Sequence, residues 1–132
     1  MNRLVIGLGF RDEADAQSIG EVLAAAAAHA TMPGRTIVLA VPEDKVAHPG
    51  LRAAAQAAHL PIETVAADAM AAADARLITH SEQVKRHRGV GSVCEAAALA
   101  AAGAGACLVV ARIVSADRHA TAAAAFIEDP MP

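Results

Sequence analysis

The chain has 132 residues, which is the size of one ordinary domain. Hydrophobic residues make up 55% and charged residues 19%, so the chain can bury a core and global disorder is excluded. The net charge of −3 argues against a general nucleic-acid binder, which needs a basic surface to displace counterions. Short apolar runs, no signal-peptide pattern and the absence of a CxxC pair predict a cytoplasmic protein without membrane partners.

The predicted elements alternate between strands and helices, which is the pattern of an α/β fold. Leu4–Ile6 predicts a buried strand, and Gly7 to Gly9 predict a tight turn into a helix capped by Asp12. Helices follow at about 14–30, 49–58, 68–75 and 92–102, with a further polar helical stretch from Ser81 to Arg88. Further strands are predicted at 36–41, 62–65, 107–114 and 119–127.

The last two predicted strands are too close in sequence for a crossover connection, so they predict an antiparallel hairpin. The fold class is therefore a three-layer α/β/α arrangement. It forms a single domain over residues 1–132. Its sheet is mixed but mostly parallel, with about five strands and a C-terminal antiparallel hairpin.

Segment 89–95, Gly-Val-Gly-Ser-Val-Cys-Glu, is the most informative in the chain. Ser92 and Glu95 have the spacing of a capping box, in which each side chain bonds a free backbone N–H at a helix start. Gly89 and Gly91 would also let a ligand approach that helix start, whose N–H groups and partial positive charge suit a carboxylate or phosphate. The pattern leaves both interpretations open.

Cys94 is the second residue of the same predicted helix, where the helix dipole lowers the pKa of a thiol and favours a nucleophile. The alternative is a small buried residue without a chemical role. Strand-to-helix turns of an α/β sheet collect at its C-terminal edge. We therefore expect the glycine loop 89–92 to face Gly7 and Gly9 across one cleft.

The sequence gives weaker indications of a dinucleotide site, a metal site and a basic binding surface. A dinucleotide fingerprint would need a third glycine at position 12, which holds Asp12. The six histidines have no metal-ligand spacing, so no metal site is expected. The basic run 85–88 is either a solvated face or a partner for an acidic ligand beside the glycine loop.

The glycine-loop segment resembles the CobE/CbiG C-terminal family of cobalamin biosynthesis. The matching motifs, in chain order, are Gly7-Leu-Gly-Phe-Arg11, Lys45, Pro49-Gly50-Leu51, Leu60-Pro61, Ser81-x-x-Val84 and Gly89-Val-Gly-Ser-Val-Cys-Glu-Ala-Ala-Ala-Leu99. Two positions depart from the family: Phe10 stands where Cys is common, and Arg112 stands where Lys is expected. The chain lacks the N-terminal region of CbiG-type proteins, so it resembles the stand-alone form of the domain.

The resemblance implies a role in building the corrin ring, with a carboxylate-edged precorrin or corrinoid as ligand and no resident cofactor. Other enzymes of the same pathway are expected as partners. The expected ligand-binding residues combine the two glycine motifs with two cations: Gly7, Gly9, Arg11, Lys45, Gly89, Val90, Gly91 and Ser92.

Whether the domain is an enzyme stays open at this point. One alternative is a hydrolase that opens the lactone of a cobalt-precorrin and releases acetaldehyde, with Glu95 and Cys94 as catalytic candidates. A second alternative is a generic phosphate or nucleotide binder at the helix start.

Overall fold

The structure is a computed structural model that describes residues 2–30, 35–82, 86 and 91–128. The strands are β1 (Asn2–Phe10), β2 (Arg35–Pro42), β3 (Ile62–Val65), β4 (Cys107–Val114) and β5 (Ala120–Glu128). The α-helices with described bounds are α1 (Ala16–His29), α2 (Pro49–Ala58), α3 (Ala67–Ala73) and α4 (Val93–Ala102). Short 3₁₀ turns follow β2 at Glu43–Lys45 and α3 at Asp74–Arg76.

The five strands form one sheet in the order β3-β2-β1-β5-β4. The α/β class and the C-terminal hairpin are confirmed, because β4 and β5 pair antiparallel. The expectation of a mostly parallel sheet is wrong in degree. The β1–β2 and β2–β3 pairings are parallel, whereas β5 runs back between β1 and β4 and makes both of its pairings antiparallel.

Helices cover both faces of the sheet, as the three-layer prediction requires. On one face, β1 contributes Leu4, Ile6 and Leu8 to a core shared with α1 and α2. On the other face, Val5 packs with the small side chains of α3 and α4. Within the described residues, no helix is long and apolar enough to cross a membrane.

Gly7 and Gly9 lie inside β1, which corrects the prediction that they form a turn after a shorter strand. β5 pairs with β1 from Asn2 to Phe10, and β2 pairs with it as far as Gly7, so the chain does not turn at either glycine. Gly7 faces Ala40 of β2 and Ala123 of β5 in the register of the sheet. A Cβ atom at Gly7 would lie 2.7 Å from the backbone nitrogen of Ala98 and closer still to the carbonyl oxygen of Cys94. Glycine is required there because α4 rests directly on the strand.

The first helix is capped by Asp15, whose carboxylate accepts a hydrogen bond from the Ser18 backbone N–H at 2.8 Å. This bond lowers the pKa of Asp15. The predicted cap, Asp12, lies one turn earlier and instead accepts a hydrogen bond from Lys45. Asp12 was the wrong candidate because β1 continues to Phe10, so the connection and the start of the helix both lie later in the chain than predicted.

Substituting Gly7 by alanine is expected to destabilise the fold by about 2–3 kcal/mol or more, because the methyl group collides with the backbone of α4. Gly20→Ala is the matched control, since a Cβ at Gly20 in α1 meets nothing within 4 Å. That substitution should stabilise the protein by about 0.5–1 kcal/mol. Urea denaturation measures both, and equal stability of the two variants would contradict the packing argument.

Candidate ligand-binding site

A cavity of about 670 Å³ opens at the edge of the sheet where β1 and β2 end and β5 begins. This is the C-terminal edge of the parallel strands, the usual position of a ligand site in an open α/β fold. The residues that line the cavity come from both glycine motifs, the end of β2 and its 3₁₀ turn, the segment at Ser81 and the β4–β5 hairpin: Leu8, Gly9, Phe10, Arg11, Pro42, Lys45, Ser81, Ser92, Val93, Arg112, Arg118, His119 and Thr121.

The described lining is strongly cationic, although the whole chain is acidic. It carries Arg11, Lys45, Arg112 and Arg118 together with His119, and it includes no aspartate or glutamate. Cations concentrated in one cavity create a local positive potential that attracts and orients anions. The charge of the cavity lining is therefore opposite in sign to the net charge of the chain, which is −3.

Arg112 is the cation with the most unusual surroundings. Its Nε atom is buried and has no hydrogen-bond partner among the described residues. Leaving a charged donor buried and unpaired is unfavourable, and the same residue lines the cavity. No carboxylate in the described part of the chain forms an ion pair with this side chain.

Lys45 is held in place by the loop that follows β1. Its Nζ atom donates to the Asp12 carboxylate at 2.8 Å and lies 5.5 Å from the centre of the Phe10 ring. The hydrogen bond and charge of Lys45 lower the pKa of Asp12. The His48 ring packs on Phe10 with centroids 4.8 Å apart and hydrogen-bonds the Asp12 carbonyl oxygen at 2.9 Å. These contacts leave the lysine at the rim of the cavity in a fixed position.

The β4–β5 turn positions Arg118 and His119. Asp117 accepts hydrogen bonds from the Ser115 hydroxyl at 2.6 Å, from the Ser18 hydroxyl of α1, and from the His119 backbone N–H at 3.0 Å. Arg118 takes a positive φ of 66°, which turns the chain sharply. The three hydrogen bonds, with that of Ser115 first, hold the pKa of Asp117 far below its usual range.

Of the predicted binding residues, Gly9, Arg11, Lys45 and Ser92 line this cavity. Gly7 does not, because it is buried beneath α4. The two motifs therefore do meet at one cleft, and among their described glycines only Gly9 lines it.

Gly91 is buried outside the cavity lining. Its backbone N–H donates to the Asp74 carboxylate at 2.9 Å, and its carbonyl accepts from Ser81. A Cβ atom at this position would lie 3.0 Å from the Cα atom of His80. The sequence predicts that Gly91 lets a ligand approach the helix start. That expectation is corrected, because the glycine admits a neighbouring chain segment instead.

Two further predicted ligand residues, Gly89 and Val90, lie outside the described residues. The same holds for most of the basic run 85–88, of which only Arg86 is described and exposed. The predicted helix from Ser81 falls largely on this stretch as well.

The capping-box prediction for Ser92 and Glu95 is wrong. Ser92 is the N-cap residue of α4, but its side chain makes no capping hydrogen bond and its Oγ atom instead lies 3.6 Å from the Cys94 Sγ atom. Glu95 is fully buried, and its carboxylate bonds Ile78, Thr79 and Arg112 rather than the start of its own helix. Neighbouring segments with free donors capture the carboxylate, which the local spacing could not reveal.

Cys94 is buried, and burial raises the pKa of its thiol. The expected lowering by the helix dipole is therefore overturned, because desolvation dominates. Neither Cys94 nor Glu95 lines the cavity. Within the described residues, no group of three or more potential metal-ligating side chains is assembled.

Four residues of the lining, Arg112, Arg118, His119 and Thr121, have no predicted site role. A signal for them exists in the sequence, because the predicted C-terminal hairpin returns the chain to the edge where β1 ends. Arg112 is also one of the two departures from the family pattern.

The chain belongs to the family described as cobalamin synthesis G C-terminus, which matches residues 4–125. It is therefore a cobalamin biosynthesis protein of the CobE/CbiG C-terminal class. The match covers β2, β3 and β4 completely, most of β1 and β5, and all the cavity-lining residues named above.

Its relatives are consistent with this assignment. It is 37% identical to Protein CobE of Sinorhizobium sp. over 123 residues, which are 92% of this chain and 79% of that protein. The crystal structure of a CobE, a protein from the cobalamin biosynthetic pathway, superposes with a TM-score of 0.81 at 29% identity, covering 98% of this chain and 94% of the other. Cobalamin biosynthesis protein chiG from Agrobacterium tumefaciens is 41% identical, with a TM-score of 0.69 and coverage of 96% and 99%.

Replacing Ser92 by alanine is expected to reduce stability by clearly less than the about 1 kcal/mol of a typical N-cap substitution. The reason is that its hydroxyl makes only the long contact with Cys94. Urea denaturation of Ser92→Ala against the wild-type protein checks this. A loss of about 1 kcal/mol or more would mean that the hydroxyl does cap α4 in solution.

The Asp117 network predicts a loss of stability in acid. A carboxylate whose pKa in the folded state lies below its ordinary value of 3.8 stabilises the fold above that pH. The contribution is lost as the pH falls below 3.8 toward the folded-state pKa, because the unfolded chain then binds the proton more readily. Urea midpoints measured from about pH 6 to about pH 2 should fall more steeply for the wild-type protein than for Asp117→Asn. Parallel curves would contradict this assignment.

Proposed function

We propose that this protein binds a carboxylate-rich precorrin or corrinoid intermediate in the cavity at the sheet edge. The single observation that carries the proposal is the combination of a cation-lined, acid-free cavity with a buried Arg112 Nε that has no partner among the described residues. Family membership supports the choice of ligand, because precorrins and corrinoids are edged with carboxylates and are the intermediates of this pathway.

The distribution of the cations suits an extended polyanion better than a single small anion. Lys45 and Arg11 follow the ends of β2 and β1, whereas Arg112 and Arg118 come from the hairpin on the other side of β1. A carboxylate on each side of one flat ligand would therefore meet a cation. A macrocycle with its acidic arms is larger than a cavity of about 670 Å³, so it would bind with one edge inside and the rest exposed.

The hydrolase alternative lacks its two candidate catalysts at the cavity. Cys94 is buried with a raised thiol pKa, and the Glu95 carboxylate is fully used by internal hydrogen bonds. A general acid or base must reach the proton that it transfers. The geometry therefore supports binding as the better account of the site.

Absorbance titration with a corrinoid such as hydrogenobyrinic acid tests the proposal. Arg112→Met should weaken binding by about ten- to a hundredfold, because it removes a buried charge-assisted donor. Arg118→Met should weaken it by a smaller factor, since an exposed cation contributes less. Arg52→Met is the matched control: Arg52 is exposed on α2 outside the cavity, and its loss should change the dissociation constant by less than about twofold.

Two outcomes would overturn the proposal. One is the absence of any spectral change at high micromolar corrinoid, with ATP or NAD raising the melting temperature instead; this would favour the phosphate-binding alternative. The other is equal weakening by Arg112→Met and Arg52→Met, which would place the ligand elsewhere. Release of acetaldehyde from a lactone-bearing precorrin, measured in the same preparations, would establish hydrolysis in addition to binding.

A further inference from the structure

Glu95 is a fully buried carboxylate that the cavity does not expose. Its Oε1 atom accepts the backbone N–H groups of Ile78 and Thr79 at 2.9 and 2.8 Å. Its Oε2 atom accepts the Thr79 hydroxyl and the Arg112 backbone N–H, both at 2.9 Å. A buried carboxylate is tolerated when donors surround it, and these four bonds supply that environment.

The bond to Arg112 falls on an irregularity of the hairpin. In β4, Val110 pairs with Ala124 and Ile113 pairs with Ala122, so Ala111 and Arg112 together oppose the single residue Ala123. This is the geometry of a β-bulge, which leaves a backbone group without a ladder partner and re-aims a side chain. Glu95 accepts the N–H that the bulge frees. The side chain at the bulge belongs to Arg112, a residue that lines the cavity.

The other two hydrogen-bonded residues, Ile78 and Thr79, lead into a second wall of the same cavity. Ser81 follows them and lines the cavity, and its backbone N–H donates to the Gly91 carbonyl at 2.8 Å. One carboxylate on α4 therefore joins the segment before Ser81 to the bulge at Arg112.

We propose that Glu95 is a positioning residue for the ligand site, acting by fixing the bulge that directs the Arg112 side chain into the cavity. The binding measurement that tests this role rests on the proposed function. In this role Glu95 neither contacts the ligand nor transfers a proton.

Glutamine at position 95 isolates the bond to Arg112. The amide group of Gln has one acceptor oxygen where the carboxylate has two. If the NH₂ group took the place of Oε1, it would face two backbone N–H donors, those of Ile78 and Thr79, and none of the three groups could accept. If it took the place of Oε2, only the Arg112 N–H would be left facing another donor, because the Thr79 hydroxyl can rotate and accept. Glu95→Gln is therefore expected to break the bond to the bulge and to keep the bonds to Ile78 and Thr79.

Thr79→Val is the matched control, since it removes one hydrogen bond from the same carboxylate without involving Arg112. Both substitutions are made in the wild-type protein and in Arg112→Met, and corrinoid dissociation constants and urea stabilities are measured. We expect Glu95→Gln to weaken binding about tenfold in the wild-type background and less than about threefold in Arg112→Met. Thr79→Val should lower stability while leaving the dissociation constant within about twofold in both backgrounds.

A readout without ligand follows the Arg112 side chain itself. The ¹⁵N-edited NMR signal of its Nε–H group is assigned by its absence in Arg112→Lys. Glu95→Gln should shift that signal, and Thr79→Val should leave it nearly unchanged. If Glu95→Gln does not fold, Glu95→Asp replaces it, because the shorter side chain withdraws the carboxylate from the bulge while keeping its charge.

Equal weakening of binding by Glu95→Gln in both backgrounds would overturn the inference, since the effect would then not pass through Arg112. An unmoved Nε–H signal would overturn it as well. If the wild-type protein binds no corrinoid, the proposed function fails, whereas the NMR comparison still decides the role of Glu95.

Discussion

The close approach of α4 to β1 is the constraint on which the site depends. It exists because Gly7 has no side chain and because the residues facing it are alanines, including Ala98 of the helix and Ala123 of β5. Because α4 packs directly on β1, the start of the helix reaches the sheet edge, where Ser92 and Val93 line the cavity. One turn further along, Glu95 comes within hydrogen-bond distance of the β4 bulge. The alanine-rich composition thus has a structural consequence, which is a thin layer between the helix and the sheet.

The antiparallel hairpin supplies the other half of the site. Because β4 runs parallel to β1 with β5 between them, the C-terminal part of β4 and the β4–β5 turn lie at the edge where β1 ends. This brings Arg112 and Arg118 to the same cavity as Arg11 and Lys45. The turn is anchored to α1 by the Ser18–Asp117 hydrogen bond and by a bond from the Ala116 N–H to Glu21. A hairpin fixed in this way holds its cations in place, which would reduce the ordering that binding of the proposed ligand requires.

Much of the fold follows from periodicity and turn residues. The strand 36–41 and the hairpin were predictable because their apolar runs are bounded by Pro42, Gly103 and the Ser115–Asp117 turn. The position of the cleft was also predictable, since it depends on strand order at one edge. What the sequence did not reveal are the long-range partners. Glu95 has the spacing of a capping box, yet donors from residues 78–79 and 112 capture its carboxylate. Gly7 resembles a turn glycine locally, and only the contact with α4 explains it.

We propose that an acidic group of a corrinoid binds at the Arg112 Nε atom, which has no hydrogen-bond partner among the described residues. The direct test is a crystal structure of the protein with a bound corrinoid. We expect a ligand carboxylate oxygen within hydrogen-bond distance of the Arg112 Nε atom, with further carboxylates directed at Lys45 or Arg118. A corrinoid bound away from this edge of the sheet, or one that leaves the Arg112 Nε without a partner, would contradict it.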